Sequence, residues 1–594
     1  MLYGFGVLLY LCKLNFNSSL MQDTAISNTP AQTKYNKPII YFLLLWTALN
    51  ILQASTLEMH ADEAYYWIFA RMMDWGFYYH PPMVAVFIRI GDTLMHNGLG
   101  TRLVTVLSST LSIYIIWLML KRYEVSTKWF IVLMSGVWVF QIYGFTATPD
   151  APLLFFTVVF YYFYQQYIDN NSWKLALILG VVVACLMYSK YHGILLVSFT
   201  MLSNLKLLRR PSFYLIVLLA LGLYVPHIIW QYHHNFPAIN LGLFKRDDDG
   251  LHFNAGSDFL FGQLLLGGAL TSWFLFYAAF TAKIKDAFMR GLLVNMACTF
   301  TFFLVSAFKA TVQLHYALIG FVPLVMLALI CIKQKGINPA WLYRLGIANI
   351  VLFVAFRLCV VAGFSFLKGN EQLEAYFGHR EWADAIHARI GDNYLIMKNE
   401  YQDPSRYSYY TNSLKGFAYD SRYYRTTQFD MWPFEEQFQH KRVYYLTHDK
   451  IPNVTTDSMT IRGKWYGSWV NDTRTYQKVV CKILSGSFTL APGQKRVINM
   501  SITNPYPYAI DFSNQGTTHA LTLEACMFIG GNLANIQASG DDFHRISLKP
   551  GEQTKYAFTL TAPDKKAVYQ LFFSWRTEPF QGSRNSDVIS FTVK

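Results

Sequence analysis

Between Trp129 and Ile168 the chain carries one formal charge, Asp150, in forty residues. An apolar run of this length reads as membrane-spanning helix. A lone charge there costs a few kcal/mol if it faces lipid, so Asp150 belongs near an interface. From Pro38 onward similar runs recur near 38–56, 101–120, 129–146, 151–168, 173–189, 193–207, 212–230, 258–282, 291–308, 314–332 and 341–363. The spacing predicts a polytopic α-helical membrane protein of about eleven spans. Composition agrees: 14% of residues are charged, against about 25% in soluble domains. Aromatics reach 17%, as long membrane–water boundaries require. A disordered chain, a coiled coil and a disulfide-rich scaffold are excluded.

The 50 Lys and Arg outnumber the 36 Asp and Glu, giving a net charge of +14. In a soluble protein that excess would raise nucleic acid as a partner. Here topology explains it, and no nucleic-acid partner is expected. One set of loops holds Lys121, Arg122, Lys128, Lys206, Arg209, Arg210, Lys283, Lys285, Arg290, Lys333, Lys335 and Arg344. The alternate set holds fewer basic residues over longer stretches. Basic loops stay in the cytoplasm, so residues 1–37 are expected to form a cytoplasmic tail and the C-terminus to lie outside. The apolar start, MLYGFGVLLYLC, is too short to span.

Past residue 364 the composition changes: residues 371–403 hold ten charged side chains and residues 341–366 hold two. Residues 365–485 alternate helix-like REWADAIHARI with strand-like NYLIMKN and RVYYLTH, which suggests an extracytoplasmic α/β module. Residues 486–594 carry short alternating runs (KRVINMSITN, TKYAFTLTAP, VYQLFFSW, VISFTVK) between turn signals, the pattern of a β-sandwich. That sandwich offers no paired acid–base residues and is expected to be an accessory module. Of seven Cys, only Cys481 and Cys526 are candidates to pair.

The segment after the first span, MHADEAYYWIFARMMDWGFYYHPPM, is the most informative. Asp62 and Glu63 precede a run that reads as an amphipathic, aromatic interfacial helix. Eighteen residues after Asp62, His80 is followed by Pro81 and Pro82, which fix the chain behind the imidazole. DEAYYW and YYHPPM resemble the first loop of the GT-C glycosyltransferases, in the protein O-mannosyltransferase and aminoarabinose transferase group. TPDAPLLFF at 148–156, YSKYHGILL at 188–196 and WQYHHNFPA at 230–238 agree with it, and KATVQLHYALIGFVPL at 309–324 less closely. NEYQDPSRYSYYTN at 399–412 and TTQFDMWP at 426–433 resemble the extracytoplasmic segment of bacterial relatives. The resemblance spans roughly residues 40–450 and stops short of the sandwich.

The resemblance implies transfer of a sugar from a polyprenyl-phosphate carrier to an extracytoplasmic acceptor (protein hydroxyl, lipid A or surface glycan), with inversion, at a bacterial inner membrane. Asp62 stands where the family has its essential first-loop carboxylate, a base when the acceptor is a hydroxyl. Glu63 is assigned an orienting or acceptor-binding role, and Asp150, within TPDAP, an acceptor-side or second-carboxylate role. The departing lipid phosphate gains charge, which fixed cations stabilise. His80, Lys190, Arg246, Lys309 and His315 are the candidates, with membrane lipid around them. Lys190 and Lys309 read equally well as lysines snorkelling at the interface.

In the aminoarabinose branch an acidic and a basic residue precede the proline pair. Here they are Tyr79 and His80, so no obligatory metal is expected there. The stretch 231–257, with His233, His234, Asp247, Asp248, Asp249 and His252, invites a divalent metal, but DDDG is more often a solvated turn. Arg357 falls inside the last span without an assigned role. The alternative function is a transporter or flippase of lipid-linked sugars. It calls for broken helices paired near the midplane, and no such pairing is legible.

Overall fold

The computed structural model describes residues 37–238, 253–310, 312–364, 371–398, 401–419, 426–452 and 454–594. They form two compact units, one of residues up to 57 with 69–374, the other of 58–68 with 375–594.

In the first unit helices occupy all eleven apolar runs. Lys37–Thr56, Gly98–Lys121, Pro211–His233, Ala287–Ala307, Leu314–Lys335 and Ala340–Ala362 are long and apolar enough to cross a membrane, and Trp173–Ser189 and Gly193–Ser203 are apolar but shorter. The chain is a multi-pass membrane protein. Phe321 to Ile332 are all buried, which makes Phe321–Lys335 the axis of the bundle. Such a helix, apolar all round, needs neighbours on every side, and it packs on Gly98–Lys121, Thr127–Gly136, Ser272–Phe280 and Ala287–Ala307.

Two expected spans are broken. One splits into Thr127–Gly136 and Trp138–Ile142, the other into Phe253–Leu266 and Ser272–Phe280. Broken backbone at membrane depth must find internal partners. Asn349, fully buried in the middle of Ala340–Ala362, supplies them to both. Its Nδ2 donates to the Gly136 carbonyl at 2.7 Å and to Thr271 Oγ1 at 3.3 Å, and its Oδ1 accepts from Leu270 N at 3.3 Å. Gly268 lies at φ +108°, and a Cβ there would sit 2.3 Å from the Gly136 carbonyl oxygen. The expectation that no broken helices pair is therefore corrected: these two meet. Their junction is sewn by one neutral amide and carries no charge.

Arg357 is 2% exposed and does not snorkel. It donates to Gln53 Oε1, to Gln141 Oε1 and, at 2.8 Å, to Asn50 Oδ1, with the Phe145 ring 5.4 Å away. Three amide carbonyls replace water around a buried guanidinium. They tie the last helix to the first and to Trp138–Ile142.

In the second unit, strands β1 (Tyr394–Lys398), β2 (Gly416–Tyr419), β3 (Val443–Thr447), β4 (Asp457–Thr460) and β5 (Lys464–Val470) form a sheet of order β2-β1-β3-β5-β4. The pairs β1–β2 and β1–β3 are parallel, and the rest are antiparallel. Helices His379–Ile390 and Gln402–Tyr410 supply Trp382, Ile386 and Tyr407 to its core.

The following residues form a sandwich. Its first strand, β6 (Val480–Ile483), lies before position 486 and pairs with β8 (Lys495–Thr503), which pairs with β13 (Gln553–Thr561). The facing sheet has the order β11-β10-β14-β15-β7. It comprises β7 (Phe488–Leu490), β10 (Leu521–Ile529), β11 (Asn532–Ala538), β14 (Val568–Thr577) and β15 (Ile589–Val593). Alternating inward residues such as Ile498, Met500, Phe558, Leu571, Phe573 and Trp575 fill the space between the sheets. Cys481 and Cys526 are both buried, lie on different sheets and are not joined by a disulfide.

Two carboxyls are buried where module meets sandwich. Asp430 accepts from Thr427 N at 2.6 Å and Gln477 Nε2 at 2.5 Å. Burial pushes its pKa up to about 6, despite those donors, and also raises that of Glu435. The folded chain thus holds a proton on Asp430 that the unfolded chain (pKa about 3.9) releases. The stabilisation is complete below about pH 4 and is lost as pH rises through about 6. Asp430→Asn, a neutral stand-in for the protonated form, should flatten this slope. Thermal melts of the full chain between pH 4.5 and 7.5 should show the wild type losing stability relative to the variant as pH rises. Parallel curves would refute it.

Candidate active site

Two constellations hold the expected site residues, one in each unit. The first forms where helices end opposite the Lys- and Arg-rich loops. Asp150 opens helix Asp150–Asp169 behind Pro149, where the positive end of the helix dipole favours a carboxylate. Lys190 sits between Trp173–Ser189 and Gly193–Ser203, in extended backbone (φ −163°, ψ 144°). The corner is tight: Gly193 N donates to the Lys190 carbonyl at 2.9 Å, and a Cβ on Gly193 would meet the Leu186 carbonyl oxygen at 2.9 Å. This bend aims Lys190 at Asp150. Its Nζ lies 2.8 and 3.0 Å from the two carboxylate oxygens, and the two residues are 5% and 4% exposed.

Three more side chains close around the pair. His315, in the turn Leu314–Gly320, places Nε2 3.7 Å from Asp150 Oδ2. The Tyr316 ring centroid is 5.0 Å from Lys190 Nζ and 4.8 Å from the His192 ring. Tyr143 packs on His315 at 5.9 Å. His192 and His80 are electrostatic neighbours in the same region. The His80 carbonyl accepts from Phe77 N at 3.0 Å, closing the turn before Pro81.

Both carboxylate oxygens of Asp150 accept from the Lys190 Nζ. Protonation of His315 would then give the cluster a net positive charge, the property an anion-binding pocket needs.

The second constellation is built on helix Ala61–Arg71. It ends at Arg71, well short of Tyr79, and Ala64 to Ala70 are buried throughout. The expected interfacial amphipathic helix is therefore corrected to one wrapped in protein. Tyr65 packs on Tyr401 at 4.7 Å, Phe429 at 5.9 Å and Trp432 at 6.2 Å, and Trp67 packs on Tyr409 at 5.5 Å.

His60 acts as the N-cap. Its Nδ1 accepts from Asp62 N at 3.2 Å, and Glu63 Oε2 accepts from His60 N at 3.3 Å. This is a capping box with imidazole in place of a hydroxyl. Glu63, fully buried, is thereby a helix cap. The Asp62 carboxylate is 38% exposed and accepts from Tyr401 Oη at 3.0 Å.

The remaining candidates are not gathered in. Lys309 is exposed beyond the end of Ala287–Ala307, and Arg246 lies outside the described residues, as do Asp247, Asp248, Asp249 and His252. Among the described residues no group of three or more His, Cys, Asp or Glu side chains is placed to hold a metal ion.

Residues 79–230 match the family described as dolichyl-phosphate-mannose-protein mannosyltransferase. ArnT from Cupriavidus metallidurans has a similar fold: its apo structure superposes with a TM-score of 0.54 at 12% identity, covering 73% of this chain and 98% of that one. The same protein bound to undecaprenyl phosphate gives 0.53 at 12% identity, covering 74% and 98%. The fold is of the GT-C type. No curated protein matches it in sequence.

Around these two constellations, sequence reasoning missed His60, His192, Tyr316 and Tyr401. Each lay inside a motif already singled out, in MHADEAYYW, YSKYHGILL, KATVQLHYALIG and NEYQDPSRYSYYTN. Proximity to an assigned residue was the available signal, and no spacing rule distinguished them from packing aromatics.

Proposed function

We propose that this GT-C glycosyltransferase moves a sugar from a polyprenyl-phosphate carrier to an acceptor outside the cytoplasm, with inversion. The observation that carries the reading is the buried Asp150–Lys190 pair with His315 beside it, at helix ends away from the basic loops. An apolar bundle has little reason to bury a charged pair there other than chemistry. That a GT-C neighbour binds undecaprenyl phosphate supports the same donor class here.

In this reading the acceptor hydroxyl attacks the anomeric carbon while Asp62 takes its proton. The bond from that carbon to the phosphate oxygen breaks, and the lipid phosphate departs with the electron pair. Lys190, His315 and His80 stabilise that charge, and Arg246 and Lys309 are proposed as further cations for it. Binding that strengthens as charge develops lowers the barrier. The acceptor is a protein hydroxyl, lipid A or a surface glycan, and the membrane is a bacterial inner membrane with residues 1–37 cytoplasmic and 365–594 outside.

Mass spectrometry of glycolipids and glycoproteins from cells with and without the chain tests this. A sugar adduct present only with the chain, together with accumulation of the polyprenyl-phosphate sugar in its absence, supports transfer; identical profiles would reject it. A reporter fused after Lys594 should read extracytoplasmic, and a cytoplasmic reading would overturn the orientation.

A further inference from the structure

The C-terminal sandwich lies outside the family resemblance, yet it is bonded densely to the module that holds Asp62. The join is the segment Thr473–Val479, whose Thr473, Thr475, Tyr476 and Val479 are at most 1% exposed. From the sandwich side, Asn585 Nδ2 donates to the carbonyls of Gln477 and Val479 at 3.0 Å each. Arg474 donates to the Ser513 and His519 carbonyls at 2.6 and 3.1 Å.

From the module side, Glu435, 1% exposed, accepts from Thr475 Oγ1 and Gln477 N at 2.5 Å each. Its other oxygen accepts from Tyr506 Oη, on the sandwich. A buried carboxyl this fully satisfied is sensitive to the loss of any donor.

Glu435 closes the run Thr427–Glu435, and that run packs on the helix of Asp62. Phe434 lies 5.1 Å from Trp432 and 6.1 Å from Phe429, and Asp430 is tied to Gln477. Phe429 and Trp432 both pack on Tyr65, and Gln428 N donates to Tyr65 Oη at 2.7 Å. Tyr65 packs in turn on Tyr401, whose hydroxyl donates to Asp62.

We propose that the sandwich positions Asp62, acting through Tyr506 and Glu435 on the segment Thr427–Phe434. Tyr506 and Glu435 are positioning residues. The sandwich is then more than an acceptor-binding accessory, and its significance for transfer rests on the reading of Asp62 as the base.

Hydrogen exchange of the full chain in detergent tests the coupling without a substrate. Tyr506→Phe keeps the ring and removes both the donor to Glu435 and the acceptor of Lys478 N. Exchange across residues 59–68 should rise about threefold to fivefold, the local opening expected when the hydrogen bond to Glu435 is lost, while residues 37–56 stay unchanged. Glu435→Gln keeps one acceptor oxygen and turns an amide NH2 on the donors at the other, so it should raise exchange at 59–68 at least as much. A merely local role for Tyr506 would speed exchange at 472–479 and 500–510 and leave 59–68 at the wild-type rate. That result in either variant overturns the proposal. Should Asp62→Asn leave transfer intact while Tyr506→Phe loosens 59–68, the base reading fails and the coupling stands.

Discussion

Asp62→Asn should cut transfer by about 10²–10⁴ while leaving the chain folded and in the membrane, the range expected when a general base is lost. Asn keeps the size of Asp62 and an oxygen that accepts from Tyr401 Oη. The backbone contact to His60 Nδ1 is untouched, so helix Ala61–Arg71 keeps its cap. What disappears is the ability to take a proton from an alcohol. Glu63→Gln provides the contrast, because an amide oxygen still accepts from His60 N. The loss there is a charge near a helix N-terminus, about 0.3–1 kcal/mol, and transfer should stay within a few-fold of wild type, roughly the rate equivalent of that energy. Initial rates in membranes, normalised to monodisperse protein in detergent, decide it. Near-full activity in Asp62→Asn would mean that the acceptor is already ionised, as a phosphate is, or that Asp62 is not the base. Equal, large losses in both variants would point to the cap instead of the proton.

The bundle was legible because apolar length alone marks a span, and every run identified that way carries helix. The breaks were not. Residues 133–140 and 264–272 are apolar or small on both sides of each turn, so no polar interruption announces them. The visible trace was Asn349, an isolated amide in a long apolar run, which is costly unless it repairs something. The amides Asn50, Gln53 and Gln141 were the corresponding trace of Arg357.

Aromatic composition misled at residues 64–79, since tyrosine and tryptophan serve a lipid interface and a protein core equally. The strands of module and sandwich were legible from alternation. Their join was not, because Glu435 and Tyr506 are 71 residues apart and neither has a pattern. Asp150 and Lys190 were each singled out as residues, but a contact across 40 positions depends on the corner at Gly193.

The Asp150–Lys190 pair makes separate predictions for folding and for chemistry. Asp150→Asn leaves the Lys190 ammonium buried without a counter-charge, a loss of about 3–5 kcal/mol. Lys190→Met leaves a buried carboxylate, but His315 Nε2, 3.7 Å away, offers a replacement cation once protonated, so this variant should be the milder of the two. Combining them removes both charges together. Neutral replacement of a buried pair is often close to neutral for stability, so the double variant should melt nearer the wild type than either single one. Transfer should fall in all three, because Asp150→Asn removes the carboxylate that fixes the ammonium and the other two variants lack the ammonium itself. Thermal melting and transfer rates on the same detergent preparations give the two readouts. A double variant that recovers both stability and transfer would make the pair structural and remove Lys190 from the donor site. A double variant that recovers stability alone assigns the charge to chemistry, since the fold has then been shown not to need it.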